Sequence, residues 1–504
     1  MRNLSLILLL LALKASAQTP AVKTAQDPFV RTAQGYIKGT TENGIAVFKG
    51  IPYAEPPIDA RRYLPPTPHT PWADTLNTTE FGASASQPKG AGVTGSENCL
   101  FLNLYTPKAD NQKRAVLLWV HGGSMTAGTG KGMDGHAFAD NDDIITITIN
   151  YRLGAYGFLY LGDLDKKYRQ SGNLGLLDVI AALQWVHQNI AAFGGDPNKI
   201  TVMGESAGAK LLSAVIVSPA SKGLFSHAIL ESGSVQCIRD ITTAKNERGI
   251  LLRQLGLKPD EAAKLLTLPA NVVIKAQAKI TGGIGGNSAF GPVQDGVTIP
   301  EDPYRYAAQG KIKNIEAIIG TNEDEGASFA PKNFGDADAE VFKPLFRDNE
   351  PIANAYYQTL VKKGSPYTAL VKTMTQYMYQ LHSYRFAKAL TNAGTPVWMY
   401  RYKYEDGQKF GAHHGDELRY IWDATRIANL PNADPAKKQL AKSLHGAWVS
   451  FIKTGDPNCE SLPQWPRYST TRKQIMVFDA TDTVVALKEV YNDKDFPSAV
   501  FVIK

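Results

Sequence analysis

Apolar and polar positions sort this chain into strands and helices. Ala115-Val-Leu-Leu-Trp-Val120 and Ile144-Ile-Thr-Ile-Thr-Ile149 are continuous apolar or β-branched runs. Strands covered on both faces, as in a largely parallel sheet, read this way; a half-solvated strand would alternate. Lys199-Ile-Thr-Val-Met203, Ala317-Ile-Ile-Gly320 and Val397-Trp-Met-Tyr-Arg-Tyr402 extend the series. Between them the period changes. Leu177, Ile180, Leu183, Trp185, Val186 and Ile190 recur at helical spacing over 176–190, before the stop signal Phe193-Gly-Gly-Asp-Pro197. Ala209-Lys-Leu-Leu-Ser-Ala-Val-Ile216 is a second helix-like run. Near the N-terminus, 36–40 and 45–50 predict a hairpin, and the prolines of 53–72 predict an extended surface segment. Strands alternating with helices mean an α/β fold, expected as one domain over 18–504 with a helical insertion around 329–395.

Gly204-Glu205-Ser206-Ala207-Gly208 stands between the 199–203 strand and the 209–216 helix. Gly-x-Ser-x-Gly at such a junction is a nucleophile elbow. The turn is so tight that the serine takes strained backbone angles and only small residues fit two positions to either side. The hydroxyl is pushed out of the sheet, and the helix N-terminus beneath it offers N–H groups to developing negative charge.

A serine hydroxyl is a weak nucleophile at neutral pH, so it needs a base, and the base needs an acid to orient it. In strand-elbow hydrolases the acid and then the histidine follow the serine. Four of the nine histidines lie more than 100 residues beyond Ser206. His382 and His445 fall in helix-like segments, whereas His413 and His414 share the glycine-flanked Phe410-Gly-Ala-His-His-Gly-Asp-Glu417 after a strand. Glu323, Asp324 and Glu325 follow the 317–320 strand, and composition chooses neither among these acids nor between the two histidines. Trp119-Val-His121-Gly122-Gly123-Ser124 closes the 115–120 strand with glycines that let backbone N–H groups approach a tetrahedral intermediate.

Composition narrows the context. At 43% hydrophobic and 20% charged over 504 residues, the chain is globular, neither disordered nor membrane-embedded. Arg2, the apolar stretch 4–13 and Ala15-Ser16-Ala17 form a signal peptide over 1–17, which predicts export to the periplasm or beyond. That stretch is too short to span a bilayer, and no later run reaches spanning length. The formal charge of +7 includes Arg2 and Lys14, so processing leaves about +5, too thinly spread to indicate a polyanion. No basic run carries the interleaved aromatics of a nucleic-acid site. Cys99, Cys237 and Cys459 leave at least one free thiol, and none has metal-ligand spacing, so neither a metal nor another cofactor is expected. Asn77-Thr78-Thr79 matches a glycosylation sequon. The oligomeric state stays open, a monomer being compatible.

With these residues in view, the chain resembles the type-B carboxylesterases, a family that includes cholinesterases and, as non-catalytic relatives, the neuroligins. Glu97-Asn-Cys-Leu-Phe-Leu-Asn-Leu-Tyr-Thr-Pro107, Asn150-Tyr-Arg-Leu-Gly154, Gly172-Asn-Leu-Gly-Leu-Leu-Asp178, Leu230-Glu-Ser-Gly-Ser234, Gly291-Pro-Val-Gln-Asp-Gly296 and Trp465-Pro-Arg-Tyr468 carry the likeness through the chain. It implies an α/β-hydrolase fold with a mostly parallel central sheet flanked by helices. It also implies a serine ester hydrolase acting on a small-molecule ester through an acyl-enzyme. From the family's motifs it implies Glu325 as the acid, His414 as the base, and an oxyanion hole of Gly123, Ser124 and Ala207. Two structural ion pairs, Arg62 with Glu97 and Arg152 with Asp178, are implied as well. Three features depart from the pattern: Ser124 replaces a frequent glycine and narrows the acyl cleft. Ala85 stands where the partner of Cys99 would be, so Cys99 is expected free. The shortened first loop lacks the choline-binding tryptophan, which argues against a choline-ester specialist. His121-Gly-Gly-Ser-Met-Thr-Ala-Gly-Thr-Gly130 is similar to a neuroligin loop, but Ser206 argues against a non-catalytic adhesion module. A lipase-like, polyester- or toxin-hydrolysing enzyme, a lactonase or an amidase would keep the same triad.

Overall fold

The structure, a computed structural model, describes residues 27–488 except 283–284, 313, 332–333, 335–338 and 408–409. The signal peptide expected over 1–17 lies outside the described residues.

Eleven strands form the main sheet: β1 (Thr40–Glu42), β2 (Ile45–Pro52), β3 (Phe101–Thr106), β4 (Arg114–Val120), β5 (Ile145–Ile149), β6 (Gly195–Glu205), β7 (His227–Glu231), β8 (Glu316–Asn322), β9 (Val397–Tyr402), β10 (Gln474–Phe478) and β11 (Thr483–Ala486). Their order is β11-β10-β9-β8-β7-β6-β4-β5-β3-β2-β1. The seven strands from β10 to β5 are mutually parallel, with antiparallel strands at either edge. This is the α/β-hydrolase arrangement.

Helices cover both faces, which explains the uninterrupted apolar runs. Val116, Leu118 and Val120 of β4 pack into a core with α1 (Leu174–Asn189) and α2 (Ala207–Ile216). Ala115, Leu117 and Trp119 point the other way, into a core shared with Trp448 and Phe451 of the later helix Pro435–Thr454. Alternate residues of one strand thus meet different helices, and neither face is left to water.

Between β8 and β9 the chain is helical: α3 (Ala339–Phe346), α4 (Glu350–Val361), α5 (Pro366–Thr375) and α6 (Leu381–Asn392). A π-helical turn, Gln376–Gln380, joins α5 to α6 without a break. Such a turn holds one residue more than an α-turn and recurs at functional sites.

The N-terminal hairpin differs from expectation. β1 and β2 form it, while Gly35–Lys38 pairs instead with Phe29–Thr32 in a small separate sheet. Gly39 makes the switch because its backbone passes so close to Val47 that a Cβ would meet the carbonyl oxygen at 2.3 Å. The 53–72 segment is irregular apart from one 3-10 turn, but it is not wholly on the surface: Tyr53, Ala54 and Tyr63 are buried. Both implied ion pairs form. Arg152 Nη2 lies 2.7 Å from Asp178 Oδ1 with both groups buried, and Arg62 Nη2 lies 2.5 Å from Glu97 Oε1. All three cysteines are free. Among the described residues no helix is long and apolar enough to cross a membrane.

Candidate active site

Parallel strands bring their C-terminal ends to one edge of the sheet, where ligands of open α/β sheets bind. Four chain segments converge there: the 121–125 loop after β4, the elbow after β6, the 323–325 turn after β8 and the 410–417 loop after β9.

The elbow has the strain its motif predicts. Ser206 sits at φ 55°, ψ −120°, a conformation that side chains disfavour, and caps α2. Its two glycines are required by close approach. A Cβ on Gly208 would lie 2.0 Å from the carbonyl oxygen of Val120, and one on Gly204 would lie 2.8 Å from the same atom. β6 and α2 therefore pass against the end of β4 at a distance that only hydrogen permits. The Ser206 N–H is tied to the Glu231 carbonyl at 2.9 Å, which anchors the turn to β7.

The His414 imidazole meets an acid. Its Nδ1 is 2.5 Å from Glu325 Oε2, and Glu325 is wholly buried. The other oxygen of Glu325 accepts the Asn322 N–H at 2.8 Å, which fixes the carboxylate's orientation. Glu323 and Asp324 are engaged elsewhere: Lys372 pairs with both, and Arg401 with Glu323. His413 contributes its carbonyl to Asn322 Nδ2 at 2.6 Å. His382 bonds the Tyr304 hydroxyl, and His445 reaches Asp142 and the Ile421 carbonyl.

The second nitrogen of His414, Nε2, lies 3.0 Å from Glu205 Oε1 in a geometry that makes no hydrogen bond. Nor does a hydrogen bond join the Ser206 hydroxyl to His414 among the described residues. Glu205 and Ser206 both crowd Gly122, where a Cβ would be 2.8 Å from Glu205 Oε2 and 3.2 Å from the Ser206 Cβ. Phe329 and Tyr379 complete the surroundings, their rings 5.0 and 4.9 Å from the imidazole, and the π-helical turn supplies Tyr379.

Charge is concentrated here. Burial alone would lower the imidazole pKa, but the carboxylates of Glu205 and Glu325 outweigh it and raise it. Two further glutamates unremarked in the sequence are buried beside them. Glu417 accepts from Asn322 Nδ2 at 2.5 Å, and burial followed by the charges of Glu325 and Glu205 pushes its pKa up to about 8. Glu231 accepts from Trp448 Nε1 at 2.7 Å, and burial lifts it well above the carboxylate range. Each lies in a motif quoted above, but only the fold reveals that they share one buried region.

Opposite this cluster, Gly123, Ser124 and Met125 take three successive positive φ angles of 99°, 56° and 58°. The Gly123 carbonyl accepts from the N–H groups of Thr126 and Ala127, closing the loop. The N–H groups of Gly123, Ser124 and Ala207 donate to no acceptor among the described residues. Such free N–H groups beside a strained serine can stabilise an oxyanion. No group of three His, Cys, Asp or Glu suited to a metal ion occurs among the described residues.

Comparison with known proteins agrees with this architecture. Residues 26–496 match the model of the Carboxylesterase family. The para-nitrobenzyl esterase of Bacillus subtilis is 34% identical over 480 residues, covering 90% of this chain and 95% of its own. Liver carboxylesterase 1 of Oryctolagus cuniculus is 30% identical over 504 residues, covering 88% and 87%. The crystal structure of a Geobacillus stearothermophilus carboxylesterase superposes with a TM-score of 0.80 at 36% identity, covering 91% of this chain and 97% of that one.

Proposed function

The chain belongs to the carboxylesterase family and is an enzyme that hydrolyses carboxylic esters, and from that premise we propose that Ser206, His414 and Glu325 are its catalytic triad. The observation that carries the assignment is the 2.5 Å contact between His414 Nδ1 and buried Glu325. It fixes the tautomer so that a neutral imidazole has Nε2 free to accept a proton.

Ser206 Oγ bonds to the ester carbonyl carbon as its proton passes to His414 Nε2. The carbonyl oxygen becomes an oxyanion held by the N–H groups of Gly123, Ser124 and Ala207. Collapse breaks the bond to the alcohol oxygen, which leaves with the proton from His414. Water then attacks the acyl-enzyme by the same route and releases the acid. Glu325 accepts the imidazolium's charge without itself taking the proton. Glu205, facing Nε2, sets the pH at which that nitrogen is free to act. Ser124, whose side chain stands at the oxyanion loop, restricts the site to small or medium esters.

Ser206→Ala is expected to lower turnover of p-nitrophenyl acetate by at least ~10³-fold, removing the burst of nitrophenol that marks acyl-enzyme formation. Retained turnover would refute the assignment. A series of p-nitrophenyl esters of increasing chain length, run alongside, separates a short-chain esterase from a lipase-like enzyme.

A further inference from the structure

Beside the oxyanion donors Ser124 and Ala207 lies a cleft that Lys210 lines, together with Cys237, Phe290 and Tyr377. The helix geometry accounts for its position. Lys210 follows Ser206 by four residues, its N–H bonded to the Ser206 carbonyl at 2.9 Å. Residues four apart share a helix face, and helical side chains lean towards the N-terminus. The Lys210 ammonium is thus carried back towards the nucleophile. It sits 5.0 Å from the centre of the Tyr379 ring, whose other contacts include His414.

The other basic groups of this cleft are already committed. Arg239 makes two bonds to Glu247, at 2.7 and 2.8 Å, and further bonds to the carbonyls of Ala289 and Cys237. His382 meets the Tyr304 hydroxyl at 2.8 Å, and burial lowers its pKa to about 3, leaving it neutral. Lys210 has no carboxylate within 4.0 Å and no side-chain hydrogen bond among the described residues. Its neighbour Cys237 is held as a neutral thiol, burial pushing its pKa up to about 11. Lys210 is half-buried at the edge of the cleft, and a cation partly withdrawn from water is stabilised by an anion that pairs with it. In the free enzyme burial pulls the pKa of Lys210 down, opposed by its neighbour Cys237 and then by the carboxylates of Glu205 and Glu325, neither of which pairs with it.

We propose that Lys210 binds a carboxylate carried by the ester substrate, a few bonds from the scissile carbonyl. The enzyme then prefers anionic esters, such as half-esters of dicarboxylic acids, over neutral esters of equal length. The inference deepens the esterase reading and rests on it.

The experiment compares two substrate pairs. For the acyl side, mono-p-nitrophenyl glutarate is set against p-nitrophenyl pentanoate; for the alcohol side, 4-acetoxybenzoate against phenyl acetate. In one pair the wild-type enzyme should favour the anionic member at least ~10-fold in kcat/KM, as a charge-assisted hydrogen bond supplies. The preference should reside in KM. Lys210→Met should abolish that ratio, and Lys210→Arg should restore part of it. A wild-type preference for the neutral member in both pairs would overturn the proposal. So would a Lys210→Met enzyme that slows both members alike, the mark of a purely structural charge. Should the Met variant not fold, competitive inhibition of the wild type decides: glutarate must bind at least ~10-fold tighter than pentanamide. If wild type hydrolyses none of the four esters, it is the esterase reading that fails.

Discussion

Replacing Glu417 by Gln should make the protein more stable at high pH and leave it unchanged at low pH. Glu417 is wholly buried, hydrogen-bonded to Asn322, and titrates near 8 rather than near 4.5. Because its folded pKa lies above the unfolded one, the fold keeps a proton that the unfolded chain has released. The sign follows: stability is full below about pH 4.5, declines as pH rises, and levels off above about 8. Each pH unit within that window costs about 1.4 kcal/mol, on the order of 5 kcal/mol across it. Unfolding entropy of about 2.1 cal/mol/K per residue gives roughly 1 kcal/mol per degree for this length, hence ~5 °C in Tm. Gln keeps the shape and neutrality of the protonated acid and cannot ionise. Thermal melts of wild type and Glu417→Gln from pH 5 to 9 should therefore converge at the acid end and separate steadily towards pH 8, the variant melting higher. Glu231, also lifted by burial, leaves a residual slope in both curves. Parallel curves with a constant offset would refute the reasoning, since Glu417 would then titrate alike in both states.

Two other perturbations probe separate parts of the argument. Glu205→Gln removes a carboxylate 3.0 Å from His414 Nε2, so the rise of kcat/KM with pH should begin about one to three pH units lower than in wild type; an unmoved acid limb would show that Glu205 does not act on the base. Asp178→Asn strands the buried Arg152 guanidinium and should destabilise by about 3–5 kcal/mol, read as a Tm loss of roughly 3–5 °C; a Tm within about a degree of wild type would mean that water reaches the pair.

The elbow was legible because its chemistry is local. Gly204 and Gly208 are demanded by contacts with Val120 that any strand-turn-helix of this tightness would make. The proposed acid and base, Glu325 and His414, were harder to choose, because what excludes their rivals is distant. Lys372 and Arg401, which occupy Glu323, lie 49 and 78 residues further on. Chain proximity alone cannot tell an acid that answers a lysine from one that answers a histidine. The raised pKa of His414 was equally out of reach, since nothing in the spacing of Glu205 and Glu325 shows that both face one ring. Lys210 left a fainter trace, a lone charge within an otherwise apolar helical run. β7, β10 and β11 were not among the strands expected; each is short, with four or five residues. The N-terminal hairpin was misregistered because the bend at Gly39 answers to a carbonyl on the neighbouring strand.

The π-helical turn at Gln376–Gln380 gives the enzyme a place where its specificity can change by length as well as by substitution. Removing one residue there would let 366–392 close up into a single α-helix. Everything on one side of the deletion would rotate by about 100° relative to the other. Tyr377 and Met378, which wall the cleft, and Tyr379, which touches both the base and Lys210, would trade places while the sheet and the elbow stayed still. One codon lost at this turn is thus a coarse dial for the ester accepted, felt at the imidazole through Tyr379 as well as along the cleft wall.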